Sequence, residues 1–173
     1  MNLQQRASGI LLHITSLPGP HGCGDFGPAA FHFIDWLKQA GQRLWQVLPM
    51  TPIGPGNSPY QSVSAFAGSP LLVSLERLVE RGWLDADALA QAVRQAQFDP
   101  QRVDYAAVVP WREARLREAA AGFFDRAQES DREAFARWSD AQAHWLDDYA
   151  LFMTIERLHS ADGQWRGWWD WDP

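Results

Sequence analysis

A single cysteine, Cys23, excludes any disulfide within the chain. That suits a reducing compartment, and the expected location is the cytoplasm. The apolar run at residues 9–14 is too short for a secretory signal core or a membrane span, which takes about 20 residues. Positive charge is scarce as well. Fifteen Lys and Arg stand against 21 Asp and Glu, for a formal net charge of −6. Such a chain offers no electrostatic footprint for nucleic acid or an anionic membrane, so neither is expected as a partner. Repeats, low-complexity tracts and long linkers are absent. The five histidines show no metal-ligand spacing, and no metal is expected. The first glycine-rich stretch lacks the lysine that follows the glycines of a phosphate-binding loop.

What remains is a globular composition. Of 173 residues, 46% are apolar, enough for one domain with a real core. Ten are tryptophans, including Trp165, Trp168, Trp169 and Trp171 near the C-terminal end. Tryptophan fills cores, and its flat face also stacks on sugar rings. Composition leaves both uses open.

Gly9-Ile10-Leu11-Leu12-His13 is too short for a helix and reads as a buried strand. Residues 15–27 hold Pro18, Gly19, Pro20, Gly22, Gly24 and Gly27 and read as a loop. Pro28 stands where a first helical residue belongs. Ala30, Phe33, Ile34 and Leu37 follow at the spacing of one helical face, and Gly41 suits the position that ends it. Arg43–Leu48 reads as a second strand, stopped by Pro49. A helix between two such strands implies a parallel pair with a right-handed crossover. The loops at 14–27 and 49–70 then leave by one edge, the C-terminal one, where α/β folds place ligand sites.

Beyond residue 71 the pattern is helical. Leu75, Leu78 and Val79 form a short face closed by Gly82. Asp85 can cap the next helix, and Asp99-Pro100 breaks the chain. Pro110 can open a helix to about Ala127, with Glu113 and Arg117 paired one turn apart. Ser130 and Glu133 have capping-box spacing. Trp145, Tyr149, Phe152 and Met153 lie along one side of the last helical segment. The expected fold class is therefore α/β: the first two parallel strands of a (β/α)8 TIM barrel, followed by a mostly helical insertion. Residues 1–70 form the barrel units with their loops, and 71–173 the helical subdomain. An eight-stranded barrel takes about 250 residues. Parallel sheets are normally covered on both faces. Both facts make this an incomplete barrel.

Chemistry can come from two loops. Gly54-Pro55-Gly56-Asn57-Ser58-Pro59-Tyr60-Gln61 offers a ring face and neutral polar groups suited to a hydroxyl-rich ligand. The plain alternative is a solvated turn with Tyr60 packed back on the domain. In the first loop Asp25 can cap the helix, orient the loop or contact a ligand, with capping or loop support the simpler role. His13 reads as a hydrogen-bonded structural histidine and Cys23 as a small loop filler. Retaining glycoside chemistry needs two carboxyls about 5 Å apart. Asp25 is the one carboxylate at the ligand edge of the barrel-like part, and Asp35 sits on the crossover helix. The acids after residue 75 are spread over amphipathic faces. No catalytic pair is expected in these residues.

Gly9-Ile-Leu-Leu-His-Ile-Thr-Ser-Leu-Pro-Gly, continued by Gly24-Asp25-Phe26-Gly27, resembles the first strand and loop of amylomaltases, also called disproportionating enzymes. Gln46-Val47-Leu48-Pro49, Ser58-Pro59-Tyr60-Gln61-Ser62 and Ser64-Ala65-Phe66-Ala67-Gly68 are similar to their second strand and its loop. Val103-Asp104-Tyr105, Trp145–Phe152 and the terminal tryptophans continue the likeness in order over nearly the whole chain. Ile14 departs where the family usually has proline, and Ser69 where it has asparagine. The resemblance implies a 4-α-glucanotransferase. Such an enzyme moves α-1,4-glucan segments between maltodextrins by retaining double displacement, without a cofactor. It implies that Tyr60, with Ser58 beside it, lines the substrate; Asp25 is expected as a third substrate-binding residue. The catalytic carboxylates are implied to lie on later strands, so that the rest of the barrel is a required partner. The other reading is a non-catalytic glucan-binding or interaction module derived from that family.

Overall fold

The computed structural model describes residues 6–160 and 166–171. Strand β1 (Gly9–Leu11) pairs in parallel with β2 (Leu44–Gln46), Gly9 opposite Leu44 and Leu11 opposite Gln46. Between them runs α1 (Pro28–Gln39), with Pro28 at its first position. Gly41, at φ 70°, ends that crossover in the left-handed conformation that glycine adopts without steric penalty.

Both strands are shorter than the sequence predicts, and the expectation of buried strands needs correction. Leu11 is 58% exposed, and Leu44 is exposed too. Parallel strands need cover on both faces. The described residues supply it only in part, so the apolar strand residues face outward. Trp45 is the better anchored. Its indole Nε1 donates to the Leu12 carbonyl at 2.7 Å, and its ring meets Phe33 edge-on at 4.9 Å. Of the predicted α1 stripe, Ala30 and Leu37 are buried while Ile34 is exposed.

The first loop opens with a 3-10 turn, Ile14–Ser16, whose Ile14 and Thr15 are buried. Ile14 and Leu17 join Ala30 and Leu72 in one core cluster. Helix α2 (Leu75–Glu80) follows, its cap Ser74 accepting from the Arg77 amide. Helix α3 (Ala86–Ala96) is capped as its sequence predicts: Asp85 Oδ1 accepts from the Ala88 amide at 2.8 Å. Helix α4 (Tyr105–Arg126) starts earlier than expected. Asp104 caps it by accepting from the Ala106 amide at 3.1 Å. Pro110 therefore rides inside the helix, where its missing N–H forfeits the bond to the Ala106 carbonyl. The Glu113–Arg117 pair forms at 2.7 Å. Leu75, Leu84, Leu89 and Ala119 make a second cluster. Cys23, Leu71 and Val108 make a third, with Ile53 and Tyr105 packed against it.

The chain divides into two compact units, Met1–Ala127 and Gln128–Pro173. The second holds α5 (Glu129–His159), 31 residues long, none of them fully buried. The predicted capping box is not formed. The helix starts at Glu129, its cap Gln128 makes no side-chain bond, and Ser130 lies within the first turn. Trp171 stacks on His159 with ring centroids 5.1 Å apart, while Trp168 and Trp169 are exposed. Trp165 lies outside the described residues. Among those described, no helix is long and apolar enough to cross a membrane.

Candidate functional site

Parallel pairing sends the chain out of β1 and β2 by the same edge of the sheet. The first loop is held there by burial and charge. Asp25 Oδ1 accepts from the Gly27 amide at 2.8 Å, and Oδ2 accepts from Arg112 Nη2 at 3.0 Å. Arg112 is fully buried on α4 and donates further to the carbonyls of His21 and Val73. Burial pushes the Asp25 carboxyl above its ordinary value, against the pull of the Arg112 guanidinium. With both oxygens engaged inside the protein, Asp25 supports the loop, and the geometry favours that role over contact with a ligand.

His21 lies in the same network. Its Nδ1 is 3.6 Å from Glu76 Oε1, and its ring stacks on Trp111. Burial lowers its pKa; Glu76 opposes the shift and Arg112 adds to it. Burial also pushes the Cys23 thiol up, as suits a filler rather than a nucleophile. His21, Asp25 and Glu76 bring potential ligand atoms within 4.8 Å of one another. Those atoms already have partners: Glu76 Oε2 accepts from Ser74 Oγ at 3.1 Å, and the guanidinium sits beside Asp25. Arg112 thus pairs with the Asp25 member of this cluster. Asp25 and Glu76 approach at roughly the separation of a retaining carboxylate pair, but a buried Asp25 leaves no room for a sugar between them.

His13 differs from expectation. Its Nδ1 is buried without a hydrogen-bond partner among the described residues, and burial lowers its pKa. It lies two residues beyond β1, on the edge where both loops leave.

The second loop is built otherwise. Gly54 donates its amide to the Ser58 carbonyl at 2.9 Å, closing a tight turn. Gly56 and Asn57 both take positive φ, 69° and 61°. Ser58 Oγ accepts from the Tyr60 amide at 3.3 Å. Tyr60 is 71% exposed and so is not packed back on the domain. The structure thus brings Ser58 and Tyr60 together in one turn, while Asp25 keeps to its bonds with Gly27 and Arg112. Two clefts flank these loops. One, of about 490 Å³, is lined by His21, Glu76 and apolar residues of α2 and α3. The other, of about 730 Å³, is lined by Phe26, Phe31, Met50 and Arg77 among others. Neither is lined by Ser58 or Tyr60.

Sequence reasoning missed Arg112 altogether. The available signal was spacing: Tyr105, Val108 and Arg112 fall on one face of α4.

Comparison with known proteins gives a consistent set of similarities. A family model described as 4-alpha-glucanotransferase matches residues 12–173. A 4-alpha-glucanotransferase of Thermus thermophilus is 48% identical over 89% of this chain, and one of Synechocystis is 45% identical over 98%. The matched regions are 29% and 32% of those relatives' lengths, so the chain spans about a third of each. Among solved structures, the amylomaltase of Streptococcus agalactiae in complex with acarbose aligns over 98% of this chain. The TM-score is 0.85 at 36% identity, and 32% of that protein is covered.

Proposed function

Because the chain belongs to the 4-alpha-glucanotransferase family, we propose that it supplies the sugar-facing start of an amylomaltase. The whole enzyme transfers α-1,4-glucan segments between maltodextrins by double displacement through a covalent glucosyl intermediate, in the cytoplasm and without a cofactor. In this reading residues 1–70 are the first β/α units of a (β/α)8 barrel and 71–173 its helical insertion.

One observation carries the reading. Two parallel strands send both motif-bearing loops out of the same edge, and the second presents an exposed Tyr60 beside Ser58. An exposed aromatic ring next to a hydroxyl suits stacking on a glucose face with a hydrogen bond to its rim. Asp25 acts one step back, holding the first loop. The exposed apolar residues of β1 and β2 favour an enzyme over a free-standing binding module, because further strands would cover them. Cleavage needs paired carboxyls open to the sugar, and buried Asp25, held by Arg112, does not offer one. Those acids belong to the remainder of the barrel.

Incubating this 173-residue chain with maltotriose tests the assignment. The expected result is no release of glucose. Clear glucose release would mean that the reactive acids lie within these residues and would overturn the reading.

A further inference from the structure

One face of α4 grips the first loop along its length. Tyr105 Oη and Thr15 Oγ1 are 3.0 Å apart. A Cβ placed on Gly22 would stand 2.5 Å from a Val108 methyl, so the loop backbone lies directly on that side chain. Arg112 binds the Asp25 carboxylate and the His21 carbonyl. Tyr105, Val108 and Arg112 follow at i, i+3 and i+7, a single stripe of the helix. The same stripe reaches the segment around the second loop. Ile53 and Leu71 share the buried cluster of Val108 and Cys23. Arg112 Nη2 also donates to the Val73 carbonyl at 2.6 Å.

We propose that α4 is a positioning element for the sugar site, with Tyr105 and Arg112 fixing the first loop against the second and so setting how a glucan lies on Tyr60. The proposal rests on the sugar reading above. The loops need such a device. The first is rich in glycine and proline, and its internal backbone ties are few; Gly24 to Thr15 at 3.1 Å is one. A guanidinium suits the task because its planar fork of donors can address several acceptors at fixed angles, which a lysine ammonium cannot reproduce. Charge-assisted bonds in a dry setting are also the strong ones. Buried ion pairs are best attested as devices that fix register. Here the register is that of the first loop, and of the ends of the second, on one helix.

Arg112→Lys and Tyr105→Phe in the full 173-residue chain test this. Hydrogen exchange is followed at the Gly24 and Phe26 amides, which bond to Thr15 and Leu72. The Leu89 amide in α3, bonded to Asp85, is the internal control. Maltoheptaose affinity is measured by calorimetry on the same samples. Arg112→Lys should speed exchange at Gly24 and Phe26 about tenfold and Tyr105→Phe about threefold, with Leu89 unchanged. Affinity should fall in the same order. A purely structural role would speed all three amides alike and leave the folded fraction binding as before. Unchanged exchange or unchanged affinity in both variants would overturn the clamp alone. Failure of the unmodified chain to bind maltoheptaose would instead overturn the sugar reading, and the positioning role with it.

Discussion

Two loops leave the same edge of one parallel pair, and they are built in opposite ways. In the first, Ile14, Thr15, Leu17, His21, Cys23 and Asp25 are all buried. In the second, Met50, Tyr60, Val63 and Phe66 are all exposed. The first is tied to α4 across many residues of sequence, whereas the ties within 54–66 are mostly local turns. Glycine and proline abound in both, so composition does not separate them. What does is whether a distant helix supplies partners. The first loop behaves as scaffold, and the second as the surface that scaffold presents.

The largest effect expected from breaking this contrast is at Arg112. Arg112→Met leaves Asp25 buried without its cation, a change that costs about 3–5 kcal/mol. Urea unfolding followed by near-ultraviolet circular dichroism should read it, and adding Asp25→Asn should recover part of the loss. A cost below about 1 kcal/mol would show that the first loop is not held as described.

Glycines offer a paired comparison. Gly22 and Gly56 both take positive φ, but a Cβ on Gly22 meets Val108 while one on Gly56 meets nothing within 4 Å. Gly56→Ala should cost about 1–2 kcal/mol through backbone conformation alone. Gly22→Ala should cost that plus an overpacking penalty of about 1–3 kcal/mol. Equal losses in thermal or urea unfolding would erase the difference between the loops.

A smaller effect is pH dependence. The folded pKa of His21 is lowered, first by burial and further by Arg112, with Glu76 opposing. Below about pH 6.5 the unfolded chain takes up a proton that the folded chain refuses. Stability should therefore fall on acidification from about pH 6.5 down to the depressed folded value. His13 shifts in the same direction. His21→Gln should flatten, though not abolish, the fall in urea midpoint between pH 7.5 and 5.5. A fall as steep as in the parent chain would show that His21 does not carry it.

The smallest stability effect belongs to Tyr60. With so much of its ring in water, Tyr60→Ala should shift stability by no more than about 0.5 kcal/mol. It should nonetheless weaken maltoheptaose binding about tenfold, the weight of one lost stacking ring. A large loss of stability with unchanged affinity would reverse the roles assigned to the two loops.

Much of the fold was legible because its signals are local. Pro28 and Gly41 bracket α1, Asp85 caps α3, and two short apolar runs around a helix dictate parallel pairing. The misreadings share a cause. Pro110 looked like a helix start because proline favours first turns, but Asp104, a few residues earlier, supplied a real cap. Ser130 and Glu133 had capping spacing, yet the helix had already begun at Glu129. The strands looked buried because their residues are apolar, and apolar composition does not say what covers them. In the second loop, the turn that presents Ser58 beside an exposed Tyr60 was readable from a motif. Arg112 was not, because its partners Asp25 and His21 lie far away in sequence and become neighbours only on folding.

A titration of the isotope-labelled chain with maltoheptaose, mapped residue by residue by nuclear magnetic resonance, bears most directly on the proposed sugar edge. Shifts should gather at Ser58–Tyr60 and in the loop following His13, with α5 silent. Shifts confined to the exposed Trp168 and Trp169, with none at Tyr60, would contradict it.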